Sequence, residues 1–574
     1  MASTLFFNGQ LLVTPATVSK IDDTAMNPTN DTSGSYLALL GISAGGQPNT
    51  VLSFGSAAEA ATTLISGDLC TAVQKAFAPS DDTNAPSTVY AIRVGSATAS
   101  SLSLADVNGA AALVVQGTDY GLQTNQIKVK IETGTDSGKK ITVQSGSSYY
   151  SGDDIGQQAF TLQYTGSAAT ATLSITGTAL TIAAPVGTVL ATVDLNSYST
   201  YGQVIDYLNT LGNLSAILVA SSEDLVALNG LDAVTGQDIK SAAFTVTGDL
   251  EAALTWFNSA ASGSFVTATR PAGSFARLAN LAFTYLAGGS TPAVLTQDWS
   301  NAFTTLQTVD VQWIVPLSPT PAIWAMADAH CSYMSTTGRR ERRAFVGPAS
   351  GTTQASVLTL PKALNSDRTA LCWPGYYDYD ANSNLVLYPP YFTAVCVAAA
   401  FAGSDPGVAM TNKTLTLRGL EVSPRNPTDT DRLIQAGVLC LESTAAGYKV
   451  VRSVTTWLAS NNYYRCEVSV GRATDYTARS VRDALDVLRG QKATSLTLAR
   501  AIAITESTLR LLAKPEPAGL AVLAGDATNP AYKGITASLD GDVLSVSFQC
   551  SPVIPVNFIP ITISLVPYSG TATA

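Results

Sequence analysis

The sequence is short of charge and almost without histidine. Only 13% of its 574 residues are charged, about half the usual share, and His330 is the single histidine. Acidic residues outnumber basic ones, and the net charge is −10. Nucleic-acid-binding proteins usually carry basic stripes interleaved with aromatic residues; this chain does not, so we expect it to bind no nucleic acid. Its one basic cluster, Arg339–Arg343, contains a glutamate and is interpreted as an ion-paired face or a protein contact.

Cysteines are few and never closely paired. The seven cysteines are widely spaced, with no C-x-x-C motif and no nearby pair of histidines. This spacing argues against a zinc site and against a disulfide framework. We therefore expect most of them to be buried thiols, and the sequence predicts neither a metal nor a cofactor.

The chain also lacks a long apolar run. The longest, around Tyr391–Ala402, is too short to span a bilayer. No lysine or arginine precedes Lys20, and no long apolar core follows the N-terminus, so a secretory signal peptide is not expected. These features predict a protein that is made in a cytoplasm and is not inserted directly into a membrane.

One motif that is present does suggest an enzyme. Gly41–Gly45 has the G-x-S-x-G spacing of a hydrolase nucleophile elbow, with Ser43 as the nucleophile. An elbow needs a helix to begin at once, but two glycines and then Pro48 follow Ser43, which is typical of a turn. The only histidine available as a base, His330, lies in a segment of helical character. A turn that leaves a buried strand is therefore the favoured interpretation, and a serine hydrolase is disfavoured.

Two further motifs resemble ligand-binding loops without meeting their requirements. Gly134–Lys140 has glycine spacing one residue short of a phosphate loop and lacks the hydroxyl residue after the lysine. Asp378–Asn382 imitates a calcium loop, but Ser383 and Pro389 stand where a glycine and a glutamate are required. Both stretches lie between alternating apolar and polar residues, so each is predicted to be a hairpin turn.

The order of patterns along the chain predicts a discontinuous α/β domain. Strand-like and helix-like patterns alternate from Ser35 to Val94, and helix-like segments return at Leu250–Phe257 and Arg277–Leu286. Buried strands are predicted at Val311–Pro316 and at 344–347. Between the two parts, a stretch rich in threonine, serine and glycine predicts an inserted β-rich module.

The last third of the chain carries the most specific pattern. Residues 426–442, 447–457 and 475–485 predict a capped helix, a hairpin and another helix. In this order they resemble the tail sheath proteins of contractile bacteriophages and of related contractile injection systems. Several other stretches are similar to that family in kind and order, namely 41–48, 339–347, 373–375 and 391–403. The resemblance covers most of 35–94 and 250–566.

This resemblance implies an α+β multidomain protein with six segments. They are an N-terminal arm (1–26), the first part of an α/β middle domain (27–104), an inserted β-rich outer module (105–236), the second part of the middle domain (237–400), a tube-facing α/β C-terminal domain (401–550) and a C-terminal arm (551–574).

The function implied by the resemblance is mechanical. Subunits would stack as six-fold rings around a tail tube, and contraction would drive the tube through a host cell envelope. The implied partners are other copies of the chain, the tail tube protein, and the baseplate and tail terminator proteins, all within a virion tail. No active site is required. Another β-rich virion or surface protein with a structural or adhesive role is the alternative.

In the family, terminal arms add strands to a sheet of a neighbouring subunit. The candidate arm residues here are Leu5, Phe6, Phe7, Leu11 and Val13 at the N-terminus, and Phe558, Ile559, Ile561, Ile563 and Leu565 at the C-terminus. The four C-terminal aliphatic residues from Ile559 to Leu565 alternate with polar residues or proline and would share one face of a strand. The alternatives are a terminal strand of the same domain for the C-terminal segment and a disordered tail for the N-terminal one.

Two further sets of residues are candidates for contacts in the assembly. By analogy with the family, Arg479, Arg482, Arg489 and Lys492 are candidates for meeting acidic residues of the tube, and the alternative is a solvated helix face. Cys550 lies beside the C-terminal arm. It is predicted either to remain a buried thiol or to form an inter-subunit disulfide once the particle leaves its host.

Overall fold

The computed structural model describes residues 5–7, 10–12, 36–136, 138–219, 230–568 and 570. Its contacts divide the chain into two units, each made of separate stretches. Unit 1 comprises Met1–Ala38, Lys75–Val89 and Val309–Ala574, and unit 2 comprises Leu39–Gln74 and Tyr90–Thr308. The chain contains many helices and many strands, which confirms the predicted α+β class. The finer division into six segments stays a prediction.

A mostly parallel sheet forms the core of unit 1. Its parallel strands, in order, are Trp313–Pro316, Arg343–Val346, Thr369–Trp373 and Val438–Thr444. Gly447–Val450 and then Thr414–Leu415 extend the sheet antiparallel at one side. Tyr36–Gly41, whose first three residues belong to unit 1, lies next to Trp313–Pro316 in the strand order. The first three parallel strands are buried at every residue, as expected for parallel strands covered on both faces.

The longest apolar run of the sequence forms the helix Pro390–Ala402, and all thirteen of its residues are buried. The helix packs on the sheet through aromatic rings. The ring of Phe401 stacks on that of Trp313 with centroids 5.0 Å apart, and it lies 5.7 Å from the ring of Phe345. Within the described ranges, no helix is long and apolar enough to cross a bilayer.

The rest of unit 1 consists of further helices and of short strands. The helices are Pro321–Thr336, Gln354–Val357, Pro361–Leu364, Thr430–Gln435, Tyr463–Cys466, Val468–Asp486 and Ser495–Leu512. The remaining strands are Leu5–Phe7, Gln10–Leu12, Tyr376–Tyr379, Leu385–Tyr388, Gly419–Leu420, Tyr532–Asp540 and Val543–Cys550. The predicted helix, hairpin and helix of residues 426–485 are confirmed.

Unit 2 is built mainly from antiparallel sheets around two apolar cores. One core lies between a sheet of Val189–Asp194, Ala179–Ala183, Thr172–Ile175 and Val234–Asp238 and a sheet of Leu214–Leu218, Gln158–Tyr164 and Phe244–Thr247. The other involves a sheet of Ser148–Ile155, Lys139–Ser145, Ile127–Thr133 and Leu281–Tyr285 and a sheet of Val266–Thr269, Ala111–Gly117 and Ser101–Ala105. The helices are Ala57–Leu64, Tyr201–Thr210, Asp249–Phe257 and Thr296–Leu306, together with most of Asp68–Ala76. The strands Val51–Phe54 and most of Thr88–Arg93 also belong to unit 2.

Most of the predicted elements are confirmed, and one is wrong. The two imitation loops are turns between paired strands, as predicted. Arg277–Leu286, predicted to be helical, instead contains the strand Leu281–Tyr285, which pairs with Ile127–Thr133. Its leucine and alanine residues favour a helix, but the neighbouring strand and the aromatic residues Phe283 and Tyr285 favour extended backbone. Antiparallel strands occur from Ser101 to Tyr285, on both sides of the predicted bounds of the module.

The packing of Phe401 leads to a prediction about stability. Phe401→Ala should lower the free energy of unfolding by about 3–5 kcal/mol, because it leaves a cavity against two buried rings. Leu511→Ala is the control, since Leu511 lies on a helix but is 59% exposed, and it should change stability by less than about 0.5–1 kcal/mol. Denaturant titration of both variants measures the difference, and equal losses would contradict the packing described.

Candidate assembly site

Ser43 lies in a turn, as the sequence predicts. The strand before it ends at Gly41, and the next helix begins only at Ala57. The Ser43 side chain is buried, and its hydroxyl donates a hydrogen bond to the carbonyl of Gly45 at 2.8 Å. This hydroxyl is used to close the turn.

His330 is held inside unit 1 by an arginine. It lies on the helix Pro321–Thr336 and is only 6% exposed, with Nε2 3.1 Å from Nη1 of Arg342. Burial, and then the positive charge of Arg342, lower the pKa of His330 to about 3. The imidazole is therefore neutral at physiological pH and accepts a hydrogen bond from the guanidinium.

The helix Val468–Asp486 is joined to the central sheet by buried ion pairs. One oxygen of Asp475 accepts hydrogen bonds from Nε of Arg343 at 3.0 Å and from Nη1 of Arg368 at 2.7 Å. The side chains of Asp475 and Arg368 are each 13% exposed, and that of Arg343 is 4% exposed. Carboxylate and guanidinium groups removed from water in this way are strongly coupled, so the pairs fix the helix against the strands.

Two of the four candidate tube-contact residues take part in the same network. Both guanidinium nitrogens Nη1 and Nη2 of Arg479 lie 2.8 Å from the Asp310 carboxylate, and Nη2 also donates to the Glu341 carbonyl at 2.9 Å. Arg482 pairs with the Glu341 carboxylate and donates to the Arg339 carbonyl at 2.7 Å. The basic cluster Arg339–Arg343 is thus an ion-paired face, one of its two interpretations from the sequence.

The other two candidates are at the surface. The side chain of Arg489 is 74% exposed and pairs with Asp486, and Lys492 is exposed beyond the end of the helix. Arg479, in contrast, has a side chain that is only 9% exposed, and Arg482 is 36% exposed. The structure therefore brings Arg479 and Arg482 together as intramolecular ion pairs and leaves Arg489 and Lys492 accessible.

The C-terminal segment from Val556 onward leaves its apolar side chains exposed. Residues 553–568 form no helix or strand, and the bridge between Leu523 and Pro552 is the last pairing before them. The exposed fractions are 79% for Phe558, 77% for Ile559, 79% for Ile561, 77% for Ile563 and 90% for Leu565. The segment is thus not a terminal strand of its own domain, and its apolar surface is uncovered within the chain.

A two-stranded hairpin lies directly before this segment. Tyr532–Asp540 pairs antiparallel with Val543–Cys550, and among the described residues no third strand joins them. One face of the hairpin packs on an apolar cluster with residues of the helices Val468–Asp486 and Ser495–Leu512. A hairpin with two open edges is suited to accept further strands.

Four of the five N-terminal candidate residues lie within the described part of the chain. Leu5–Phe7 and Gln10–Leu12 pair antiparallel with each other, Leu5 opposite Leu12. This pairing includes the backbone of Leu5, Phe6, Phe7 and Leu11, whereas Val13 lies outside the described residues. The extended backbone expected of an arm is present in these two short strands.

Cys550 ends the second strand of the hairpin and is half-buried beside the apolar cluster. Burial raises the pKa of its thiol, which lowers the fraction of reactive thiolate. All seven cysteines are free within the described chain, and five of them are buried.

Comparison with solved structures defines the class of fold. A sheath tail protein of Listeria innocua superposes with a TM-score of 0.54 at 13% sequence identity, over 90% of this chain and 92% of that one. At this identity the likeness shows the fold alone. No protein-family model matches the chain.

Sequence comparison then shows the family. The tail sheath protein of Bacillus phage SP01 is 30% identical over 99% of this chain and 98% of its own length. The tail sheath protein of Staphylococcus phage Twort is 24% identical over 81% of this chain and 84% of its own length. The chain belongs to the bacteriophage tail sheath proteins, which are structural proteins of the phage tail.

Sequence reasoning missed the acidic partners in the ion-pair network. Asp310, Glu341 and Asp475 lie far apart in the sequence, and only the fold brings each one to its arginines. The one available signal was the glutamate within the cluster Arg339–Arg343, which correctly indicated ion pairing.

The ion pairs of Asp475 can be tested by removing its charge. Asp475→Asn should lower the free energy of unfolding by about 3–5 kcal/mol, because Arg343 and Arg368 would be left buried without their shared carboxylate. Asp486→Asn, at an exposed pair with Arg489, should cost at most about 1 kcal/mol. Similar losses in the two variants, measured by denaturant unfolding, would contradict the assigned roles.

The lowered pKa of His330 predicts a pH dependence of stability. The pKa is 6.5 in the unfolded chain and about 3 in the folded one, so the unfolded state binds a proton that the folded state resists. The stability that depends on a neutral His330 is therefore fully present above pH 6.5 and is lost as the pH falls from 6.5 toward 3. The variant His330→Gln should therefore lose stability less steeply over that range. Parallel stability profiles for the variant and the parent chain would show that His330 does not titrate as described.

Proposed function

We propose that this chain is the subunit of a contractile tail sheath, and that it polymerises as stacked hexameric rings around the tail tube. Contraction of this sleeve would drive the tube through the host cell envelope. The observation that carries the proposal is the exposed apolar segment at the C-terminus, which a chain acting alone would leave in water. The family membership supplies the setting, a phage tail.

We propose that the exposed segment becomes a β-strand when it pairs with a sheet of a neighbouring subunit. If Ile559, Ile561, Ile563 and Leu565 are buried in a neighbouring subunit, each contributes roughly 1.5–3 kcal/mol, or about 6–12 kcal/mol in all before the cost of ordering. This is comparable to the stability of a whole domain. A joint of that strength would keep subunits connected while they rotate and slide.

The hairpin Tyr532–Cys550 is the proposed receiving sheet. Its two open edges would pair with the terminal segments of neighbouring copies, including the strands near Leu5 and Leu11, in the manner of β-augmentation. Backbone hydrogen bonds would supply affinity, and the alternate aliphatic side chains would cover the apolar face. Cys550 lies in this hairpin. Because its thiol is half-buried, we propose that it stays a free cysteine and does not form an inter-subunit disulfide.

Contact with the tube is proposed for the exposed cations Arg489 and Lys492. Both are accessible, whereas Arg479 is largely buried and forms an ion pair with Asp310 inside unit 1. Arg482, which is partly exposed, would contribute at the edge of this surface.

The remaining partners are the baseplate and terminator proteins at the two ends of the sleeve. No step of this function needs catalysis, and we propose that the chain is not an enzyme.

Removal of either arm tests the joint. Deleting Met1–Thr14, or truncating the chain after Pro555, should leave a folded and soluble monomer that no longer polymerises, because each deletion removes mainly the proposed inter-subunit strand. The truncation also removes the hydrogen bonds of Asn557 to Glu467 and Thr411. Thermal unfolding reports on the fold, and negative-stain electron microscopy reports on sleeve formation. Normal sleeves from the truncated chains, or monomers that unfold, would show that the arms are not inter-subunit strands.

A single substitution with a matched control sharpens this test. Ile561→Asp should abolish assembly, since a carboxylate would be buried without a partner in the joint. Thr562→Asp changes the adjacent residue on the opposite face of the strand and should assemble nearly as well as the parent chain. If the two variants behave alike, the assigned face of the strand is wrong.

The tube contact predicts a separate phenotype. The double variant Arg489→Glu with Lys492→Glu should still form sleeves but should lose most of its attachment to purified tube, because two attractions become repulsions. Lys514→Glu changes an exposed lysine elsewhere in unit 1 and serves as the control. Co-sedimentation with tube polymers measures the difference, and full binding by the double variant would remove these residues from the tube surface.

A further inference from the structure

A small cavity lies within unit 1 beside the buried ion pairs. Its volume is about 30 Å³, and it is bordered by the helix Val468–Asp486 and by the strands Trp313–Pro316 and Arg343–Val346. The charged residues that line it are Arg342, Arg343, Arg472, Arg479, Glu341 and Asp475. Four guanidinium groups thus face two carboxylates around this space.

The two carboxylates are already engaged by several arginines. Asp475 is shared by Arg343 and by Arg368, which lies outside the cavity lining. Glu341 is likewise shared by Arg479, at 3.2 Å, and by Arg482. Positive charge therefore exceeds negative charge around the cavity even after every carboxylate of its lining is counted.

Arg472 is a buried cation of this lining that interacts with the charge of Asp405 but forms no ion pair with it. It is 7% exposed, and within the part of the chain that the structure describes it forms no ion pair. Its guanidinium donates to the backbone carbonyls of Ser404 at 2.6 Å and Asp405 at 2.9 Å. It also lies over the ring of Trp313, 5.3 Å from the centroid. Burial lowers the pKa of Arg472 to about 10, so the group remains charged at neutral pH.

Two residues that line the cavity each carry a buried N–H donor with no acceptor among the described residues. Nε1 of Trp313 and Nη2 of Arg343 are both inaccessible to solvent and have no hydrogen-bond partner among the described residues. Trp313 is 1% exposed and Arg343 is 3% exposed, and both line the cavity. A buried donor without an acceptor is costly, and native structures rarely leave one unsatisfied.

We propose that this cavity binds a small monatomic anion of the chloride type. An anion can accept hydrogen bonds from the indole and guanidinium donors, and it also offsets the excess of positive charge, which a water molecule does not. A cavity needs about 10–15 Å³ to hold one water molecule, so 30 Å³ leaves room for one monatomic ion. The bound ion would join the helix Val468–Asp486 to the sheet through Arg472, Arg343 and Trp313.

Chloride-dependent stability of the full-length chain tests this site. At equal ionic strength and pH, chloride and bromide should raise the melting temperature above that in gluconate by on the order of 1 °C, with saturation as the site fills. Trp313→Phe keeps the ring but removes the N–H donor, so the halide effect should shrink. Trp256→Phe, at a partly buried indole of unit 2, should keep the full effect. Equal melting temperatures in the halide and gluconate salts would overturn the proposal.

Bromide diffraction provides a direct readout that does not depend on how the variants fold. Crystals of the parent chain soaked in bromide should show one anomalous peak within hydrogen-bonding distance of Trp313 Nε1 and Arg343 Nη2. Density at this position without an anomalous signal would identify a water molecule and would refute anion binding.

Discussion

The exposed apolar segment near residues 558–565 is the feature on which the proposed assembly depends, because it needs a partner surface to be buried. Phe558, Ile559, Ile561, Ile563 and Leu565 are each more than three-quarters exposed, and they stand close together along the chain. The hydrophobic effect acts against this arrangement in a lone chain. The hairpin Tyr532–Cys550, with two open edges, is the surface that we propose to receive this segment on another copy. Both features support the proposal that the subunit is completed by its neighbours.

A joint between subunits is useful only if the bodies that it joins are rigid. In unit 1 that rigidity comes from the parallel sheet, from the buried helix Pro390–Ala402, and from the ion pairs that hold the helix Val468–Asp486. Asp475 illustrates the principle, since one carboxylate fixes two arginines from different parts of the chain. Buried charges of this kind tolerate little displacement, because separating them exposes each to an apolar interior.

The sequence predicts the parts of this fold that depend on local pattern. The buried strands at Trp313–Pro316 and Arg343–Val346, the turn at Ser43 and the hairpins at two imitation loops follow from apolar runs and turn residues. The strand Leu281–Tyr285 does not, because it is stabilised by pairing with Ile127–Thr133, about 150 residues earlier in the chain. Helical propensity alone predicts a helix at these residues.

The candidate site likewise contains residues whose role follows from local sequence pattern and residues whose role depends on distant contacts. Alternation of aliphatic residues from Ile559 to Leu565 predicts a strand face from sequence, and this stays a prediction because the segment forms no strand within the described chain. The positions of Arg479 and Arg482 could not be foreseen, since their partners Asp310 and Glu341 lie more than a hundred residues away. A charged residue on a helix looks the same in sequence whether it faces solvent or a distant carboxylate.

Hydrogen–deuterium exchange in two assembly states tests the central claim most directly. The backbone amides of residues 558–566 should exchange rapidly in the monomer and slowly in assembled sleeves, and the edge strands Tyr532–Asp540 and Val543–Cys550 should gain protection at the same time. Such a joint change would identify the C-terminal segment as a strand of a neighbouring subunit. Amides at 558–566 that exchange equally fast in both states would contradict the account.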